Sequence, residues 1–317
     1  MLYVTGGVQR PRHTDEWRQY GRARILRVDP AGRDGAAVFD YVTPAGACPE
    51  EEPSIVFKHG AIANNRLYAC TCTEVLILEL PSFSQAGYLS LPCFNDLHHV
   101  TLSRQGTLLV ADTGLDMVLE TTPDGQVLRE WDALGREPWN RFSRDVDYRR
   151  APTTKPHECH PNFVFERGDE IWVTRHLQKD AVCLTHNREA LEFHAPPHDG
   201  LPVNGRLYFT TIDGWLYIFD AESLARIDRF DLKSSDDTQG FGWCRGVLPI
   251  DDRHCWVGFS RTRPSRFREG LSWVRHGFSH RYLPTRIVLY DTVKKTTLDE
   301  ISLEPMQLSA VFSIFPF

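Results

Sequence analysis

Phe94 to Asp132, FNDLHHVTLSRQGTLLVADTGLDMVLETTPDGQVLREWD, is the stretch that decides the fold. Apolar residues recur at alternate positions: Val100 and Leu102, Leu108 and Val110, then Val118, then Val127 with Leu128 beside it. Between these runs stand Arg104-Gln105-Gly106, Thr113-Gly114 and Pro123-Asp124-Gly125, residue types that supply the backbone angles of tight turns. A period of two places one face of a strand in a core, so the segment reads as four short strands. Four strands in about forty residues make one propeller blade. His98 and His99 open its first strand, the position that lines the central axis when blades form a ring. Function is expected there.

The rest of the chain divides in the same way. Residues 1 to 43 offer three strands, in LYVTGG, ARILRVDP and AAVFDYV, with no innermost partner of their own. The end, LSAVFSIFPF (308 to 317), is one isolated apolar strand. Pairing the two supplies the missing strand and removes exposed sheet edges. Further blades are expected at 54 to 91, 160 to 194, 198 to 232, and from Gly242 to Leu303. The expectation is an all-β fold, a six-bladed β-propeller closed by the N- and C-terminal strands, with residues 1 to 317 as a single domain.

Two insertions interrupt the spacing, at 133 to 156 and 261 to 284. Both are rich in arginine: Arg136, Arg141, Arg144, Arg149 and Arg150 in the first, and Arg261, Arg263, Arg266, Arg268, Arg275 and Arg281 in the second. Aromatic residues such as Trp139, Phe142, Tyr148, Phe267 and Trp273 are interleaved. Both insertions are expected to overhang the mouth of the axis as lids that exclude water and hold an anion.

At 317 residues and 41% hydrophobic content, the chain is long enough to bury a large core. A net charge of -6 provides no overall attraction to nucleic acid or to an anionic membrane, so neither is an expected partner. No apolar run reaches a membrane span and the first residues lack a signal-peptide pattern, which points to the cytoplasm. The eight cysteines show no C-x-x-C pair and are expected to be buried reduced thiols.

Counting back from a marker residue in each second strand shows a pattern in the histidines. His59 lies 11 before Cys70, His98 and His99 lie 12 and 11 before Val110, His160 lies 13 before Val173, and His198 lies 11 before Phe209. In the sixth blade Arg245 stands in the matching region. The pseudo-rotation of a propeller turns equal offsets into points on one small circle. Imidazoles converging without a carboxylate cage suit a transition metal, zinc or iron first, rather than calcium or magnesium. His59, His98, His160 and His198 are the candidate ligands, with His98 preferred to His99 because neighbours on a strand face opposite ways. Glu158 and His157, in PHECHP, are candidate ligands or proton acceptors, and Arg245, Arg263 and Arg266 are candidate contacts to an anionic substrate.

The run GTLLVADTG (Gly106 to Gly114), followed by an apolar strand and a D-G turn, resembles an NHL-type repeat. Among NHL-like six-bladed propellers, the zinc-dependent lyase that releases peptide amides from peptidyl-hydroxyglycine shows a histidine, an apolar strand, a short turn and a W-V-T-D-like strand. His98 through Asp112 is similar, as is His160 through Thr174, with Arg175 where an acid would stand. The resemblance implies that His98 and His160 are metal ligands. Calcium-dependent lactonases on similar propellers use Glu, Asn and Asp at the axis, and the histidines here differ from that set.

Three functions compete. The first is a metal-dependent lyase or hydrolase in which arginines hold a small anionic substrate. The second is an iron oxygenase, because four neutral histidines on an axis resemble the carotenoid-cleaving oxygenases, whose chains are longer and seven-bladed. The third is a propeller without catalysis that binds a peptide or protein partner. The nucleotide and hydrolase motifs, namely the Walker loop, G-x-G-x-x-G, G-x-S-x-G and H-E-x-x-H, are absent from the sequence.

Overall fold

The computed structural model describes residues 1–11, 16–233, 242–261 and 283–317. Its strands form six four-stranded antiparallel sheets set as the blades of a ring. The third blade follows the sequence reading closely, with strands Leu97–Leu102, Leu108–Asp112, Met117–Thr121 and Val127–Asp132. In the first blade the terminal strand Ala310–Pro316 is innermost, paired antiparallel to Leu2–Gln9, with Val4 opposite Ile314. The two ends of the chain therefore close the ring.

Alternation along the strands explains why the ring holds together. In the first blade Tyr3 packs toward Phe57 and Leu67 of the second, while Val4 packs the other way, toward Trp256 and Ile287 of the sixth. In the third blade Leu108 and Val110 face Tyr68 and Ile77, and Leu109 and Ala111 face Val164 and Val173. Each blade is thus apolar on both faces, and a buried cluster fills each of the six junctions. An open stack would leave two apolar faces in water, so closure follows from the pattern.

All eight cysteines are free, and five of them are buried. No helix among the described residues is long and apolar enough to cross a membrane.

The first insertion packs on the turn Thr113–Leu115, between the second and third strands of the third blade, and on Asn95, just ahead of its innermost strand. Tyr148 packs beside Leu115 and Met117 with Trp139 and Phe142, and Asn95 donates from Nδ2 to the carbonyls of Tyr148 and Ala151. Its arginines do not form the open basic lid expected from the sequence. Arg136 and Arg141 pair with Glu158, and Arg141 also with Asp116; Arg144 pairs with Glu130, Arg149 with Asp147, and Arg150 with Glu50. Each of these five guanidinium groups has a carboxylate partner, so the insertion's arginine count does not translate into a field aimed at a ligand. Most of the second insertion, with Arg263 and Arg266, lies outside the described residues.

Candidate functional site

Every innermost strand carries one residue more than the second strand beside it, and at the same place. In the first blade Val311 pairs with Gly6 and Ser313 with Thr5, leaving Phe312 over. In the third, His98 is left between the pairs Leu97–Asp112 and His99–Ala111; in the fourth, Asn162 is left between Pro161–Arg175 and Phe163–Thr174. In the second, Lys58 donates its N–H to the Cys70 carbonyl at 2.9 Å and Gly60 pairs with Ala69, which isolates His59. In the fifth, His198 donates to the Thr210 carbonyl and Leu201 pairs with Tyr208, so Asp199 and Gly200 share Phe209. In the sixth, Arg245 and Gly246 share Gly258, where a Cβ would lie 2.5 Å from the Arg245 carbonyl oxygen.

Such bulges re-aim a side chain out of the regular alternation. Here six of them build a ring of Phe312, His59, His98, Asn162, Asp199 and Arg245. The second and fifth blades stand opposite each other, yet His59 Nε2 reaches Asp199 Oδ1 at 3.1 Å. That contact places both side chains on the axis. The Arg245 guanidinium lies 3.8 Å from the centre of the Phe312 ring, which lies 6.0 Å from the rings of both His59 and His198.

The sequence offsets located this ring in the second, third and sixth blades and missed it in two others. His198 is one residue ahead of the ring position, and His160 is two ahead. The bulges add an unpaired residue that simple counting from a second-strand marker does not register, and Thr210, rather than Phe209, matches Cys70. Both histidines still join the cluster. His198 Nδ1 lies 2.8 Å from His59 Nε2, the His98 and His160 rings are centred 4.8 Å apart, and the His157 and His160 Nδ1 atoms are separated by 2.7 Å. His176, at the end of a second strand, is centred 5.0 Å from His160. Imidazoles thus follow one another without a break from His59 through His198, His98 and His160 to His157 and His176.

The backbone around His160 is held by Asp116. That carboxylate accepts from the N–H groups of Glu158, Cys159 and His160 at 2.8, 3.0 and 2.7 Å, and from Arg141 at 2.5 Å. His160 adopts φ 60, and Asp96, at the corresponding place in the third blade, adopts φ 51. Left-handed backbone at a non-glycine residue needs support of this kind. Glu158 contributes its N–H but not its carboxylate, which is 47% exposed and engaged by Arg136 and Arg141. The Glu158 carboxylate is thus paired with arginines of the insertion rather than placed among the imidazoles. His99 is also set apart: its ring stacks on Phe163 at 3.6 Å and accepts the Val164 N–H at Nδ1.

Burial pushes the pKa values of His59, His98, His160 and His198 well below the ordinary imidazole value, reinforced at His59 by His99 and Arg245, at His98 by Lys58, at His160 by His98, and at His198 by His59 and Arg245. These rings are neutral at pH 7. His98 Nδ1 lies 2.8 Å from the Asp96 carbonyl oxygen, which only accepts, and 3.3 Å from the Lys58 ammonium, which only donates; the shorter contact favours the proton on Nδ1 and the lone pair on Nε2. Burial opposes the charge on Lys58, but Asp96 beside it more than offsets this and its pKa stands above the usual lysine value. Asp199 is the opposite case. Burial raises its pKa to about 7 against the hydrogen bonds from Thr210 and Gly246 and the pull of Arg245.

Among the described residues, the donor atoms of His59, His198 and Asp199 lie within 4.8 Å of one another. Two imidazoles and a carboxylate form a set suited to zinc or iron(II). His59 and His198 stand at hydrogen-bond separation, so an ion would take the place of that bond. A second grouping, Glu170, Cys183 and His186, fits an ion poorly because Glu170 already binds Arg167, Arg188 and the Trp172 N–H. Sequence reasoning missed Asp199, Asn162, Lys58, Asp96 and His176. The signal for Asp199 was present in the parallel between KHGAIANNRL (58 to 67) and HDGLPVNGRL (198 to 207), which places Asp199 where His59 stands.

No protein-family model matches the chain, and no curated protein matches it. Solved structures share the fold at low identity. One from Bacteroides caccae, a protein of unknown function, is 10% identical with a TM-score of 0.62 and covers 99% of this chain and 97% of its own. A chain of a nidogen/laminin complex is 9% identical with a TM-score of 0.59, covering 99% and 97%. A streptogramin B lyase structure is 13% identical with a TM-score of 0.50, covering 95% and 83%. At these identities the likeness concerns the propeller alone.

Proposed function

We propose that this propeller is a transition-metal-dependent enzyme, a lyase or hydrolase, acting on a small anionic substrate at the mouth of its axis. The observation that carries this reading is the neutral, buried imidazole cluster that closes on Asp199. So many imidazoles converging on a carboxylate exceed what a structural core needs, and their protonation states are those a metal ion requires. His59, His198 and Asp199 are the ligands. A bound zinc or iron ion would supply Lewis-acid polarisation of a substrate oxygen or an activated water.

The chain's other residues divide the remaining work. His98 presents the Nε2 lone pair toward the cluster and accepts the proton released, while Asp96 fixes its tautomer through the main-chain carbonyl. The Lys58–Asp96 pair beneath it keeps that carbonyl's loop in place. Arg245, shelved on Phe312 and donating to Ser260 Oγ at 3.2 Å, holds the anionic group. Phe312 and Phe163 exclude water from the far side of His59.

The two-histidine, one-carboxylate set also favours a second reading, an iron(II) oxygenase. The test is an activity screen of the zinc-loaded and the anaerobically iron-loaded protein against small carboxylates and phosphate esters, with chelator-treated protein as control. Turnover with zinc and without oxygen supports the lyase or hydrolase. Oxygen consumption with iron alone transfers the proposal to the oxygenase, and equal turnover in the chelated protein removes both.

A further inference from the structure

Five of the six ring residues are accounted for: His59, His98 and Asp199 in the imidazole cluster, Arg245 as the anion contact, and Phe312 as its shelf. Asn162 is not. It is fully buried, and its Nδ2 donates to the Pro197 carbonyl at 2.9 Å. That bond fixes which end of the amide is which, because a carbonyl accepts and only the NH2 donates. Its Oδ1 is left buried with no hydrogen-bond partner. A buried amide oxygen without a donor costs on the order of 1–3 kcal/mol, so it calls for an explanation.

The bulge register supplies one. Asn162 occupies in the fourth blade the place that His98 occupies in the third and Asp199 in the fifth. The carbonyl that holds it belongs to Pro197, next to His198. An acceptor without its own donor, set among groups aimed at the axis, is placed to meet an N–H or O–H of a ligand once the ring side chains around it part to admit one.

We infer that Asn162 is a substrate-recognition residue and that the site takes an anion that also carries a hydroxyl or N–H donor. This rests on the anion-binding part of the proposed function. Arg245 comes from the sixth blade and Asn162 from the fourth, with the fifth between them, so the donor belongs on a different atom from the carbon bearing the charge. A site built with a buried acceptor discriminates against the analogue lacking the donor, because that analogue leaves the acceptor unmet.

The experiment compares 3-hydroxypropionate with butyrate, and 4-hydroxybutyrate with pentanoate, pairs of equal charge and length that exchange a hydroxyl for a methyl. Dissociation constants are measured on the full chain by calorimetry. The natural chain is expected to prefer each hydroxy acid by roughly three- to tenfold, the worth of one net hydrogen bond. Asn162→Leu is expected to abolish the preference within each pair, and the ratio is what is read, because the variant also removes the bond to the Pro197 carbonyl. Asn162→Asp keeps an acceptor oxygen, and is expected to weaken both members of a pair through its charge while retaining the preference; it serves if the leucine variant fails to fold. Arg245→Gln is expected to weaken both members alike. Equal binding within each pair in the natural chain, or a preference that survives Asn162→Leu, overturns the inference and leaves Arg245-dependent anion binding standing. Binding of none of the four acids overturns the inference and the anion reading together, while metal content, measured separately, reports on the metal.

Discussion

His59 Nε2 lies 2.8 Å from His198 Nδ1 although 139 residues separate them in the chain. The contact crosses the ring from the second blade to the fifth and exists only when the propeller is closed. Two neutral imidazoles meet there, out of water. In the metal-free protein this makes stability depend on pH. Each of His59, His98, His160 and His198 has a folded pKa below its unfolded value, so the unfolded chain binds more protons below about pH 6.5. Their contribution is present above that pH and is lost as pH falls through it, by up to about 1.4 kcal/mol per pH unit for each ring. Asp199, raised to about 7, acts in the opposite sense: its contribution is present below the ordinary carboxyl range and is lost as pH rises through 7. Four rings outweigh one carboxyl. Urea midpoints are expected to fall from pH 7 to pH 5, and to fall more steeply in Asp199→Asn; a flat or rising midpoint would contradict the neutral cluster.

His98 and His99 are neighbours with different expected responses. Because His99 stacks on Phe163 and accepts the Val164 N–H, His99→Ala removes packing between two inner strands and is expected to cost about 2–4 kcal/mol. His98→Ala is expected to cost less stability and to reduce turnover more. Chemical denaturation of the two variants, run beside their activities, checks the contrast, and a reversed order would reassign the pair.

Deleting residues 308 to 317 removes the innermost strand of the first blade. Val311, Phe312, Ile314 and Phe315 are all buried, and burying each is worth about 1.5–3 kcal/mol. The sum, on the order of 6–12 kcal/mol, rivals the whole stability of a typical domain. The shortened chain is expected to lose the cooperative thermal transition of the entire ring. A truncated protein that melts like the full chain would mean that the terminal strand closes nothing.

Asp116 is expected to matter out of proportion to its distance from the cluster. It collects three N–H groups and Arg141, so Asp116→Ala leaves the buried Cys159 N–H and its neighbours without their acceptor and frees the left-handed turn at His160. A loss of about 2–4 kcal/mol is expected, with the His160 ring resonance displaced in NMR spectra. An unchanged His160 resonance would show that the turn holds itself.

The fold was legible because alternation and turn residues repeat in every blade, and because three strands at one end and one at the other have a single economical pairing. The axis was legible only in part. His59, His98 and Arg245 fell on their ring positions, but each inner strand adds an unpaired residue, and counting along the chain does not reveal where a bulge lies. His160 therefore stood in for Asn162, and His198 concealed Asp199. Arginine in the first insertion was a poor guide because acids neutralise it, some close in the chain, as Asp147 is to Arg149, and others distant, as Asp116 is to Arg141 and Glu50 to Arg150. Glu158 looked axial through its nearness to His160, whereas the positive φ at His160 turns the chain between them.

Metal stoichiometry at the axis is the most direct test of the proposed site. The full chain, stripped with chelator and titrated anaerobically with cobalt(II), zinc(II) and iron(II), is to be compared with His59→Ala, His198→Ala and Asp199→Ala, with His186→Ala as the control away from the axis. One ion per chain is expected in the natural protein and in His186→Ala, with affinity lowered at least about tenfold in each axial variant while the folded baseline is kept. No binding by the natural chain, or equal binding in all three axial variants, would contradict a metal site on the propeller axis.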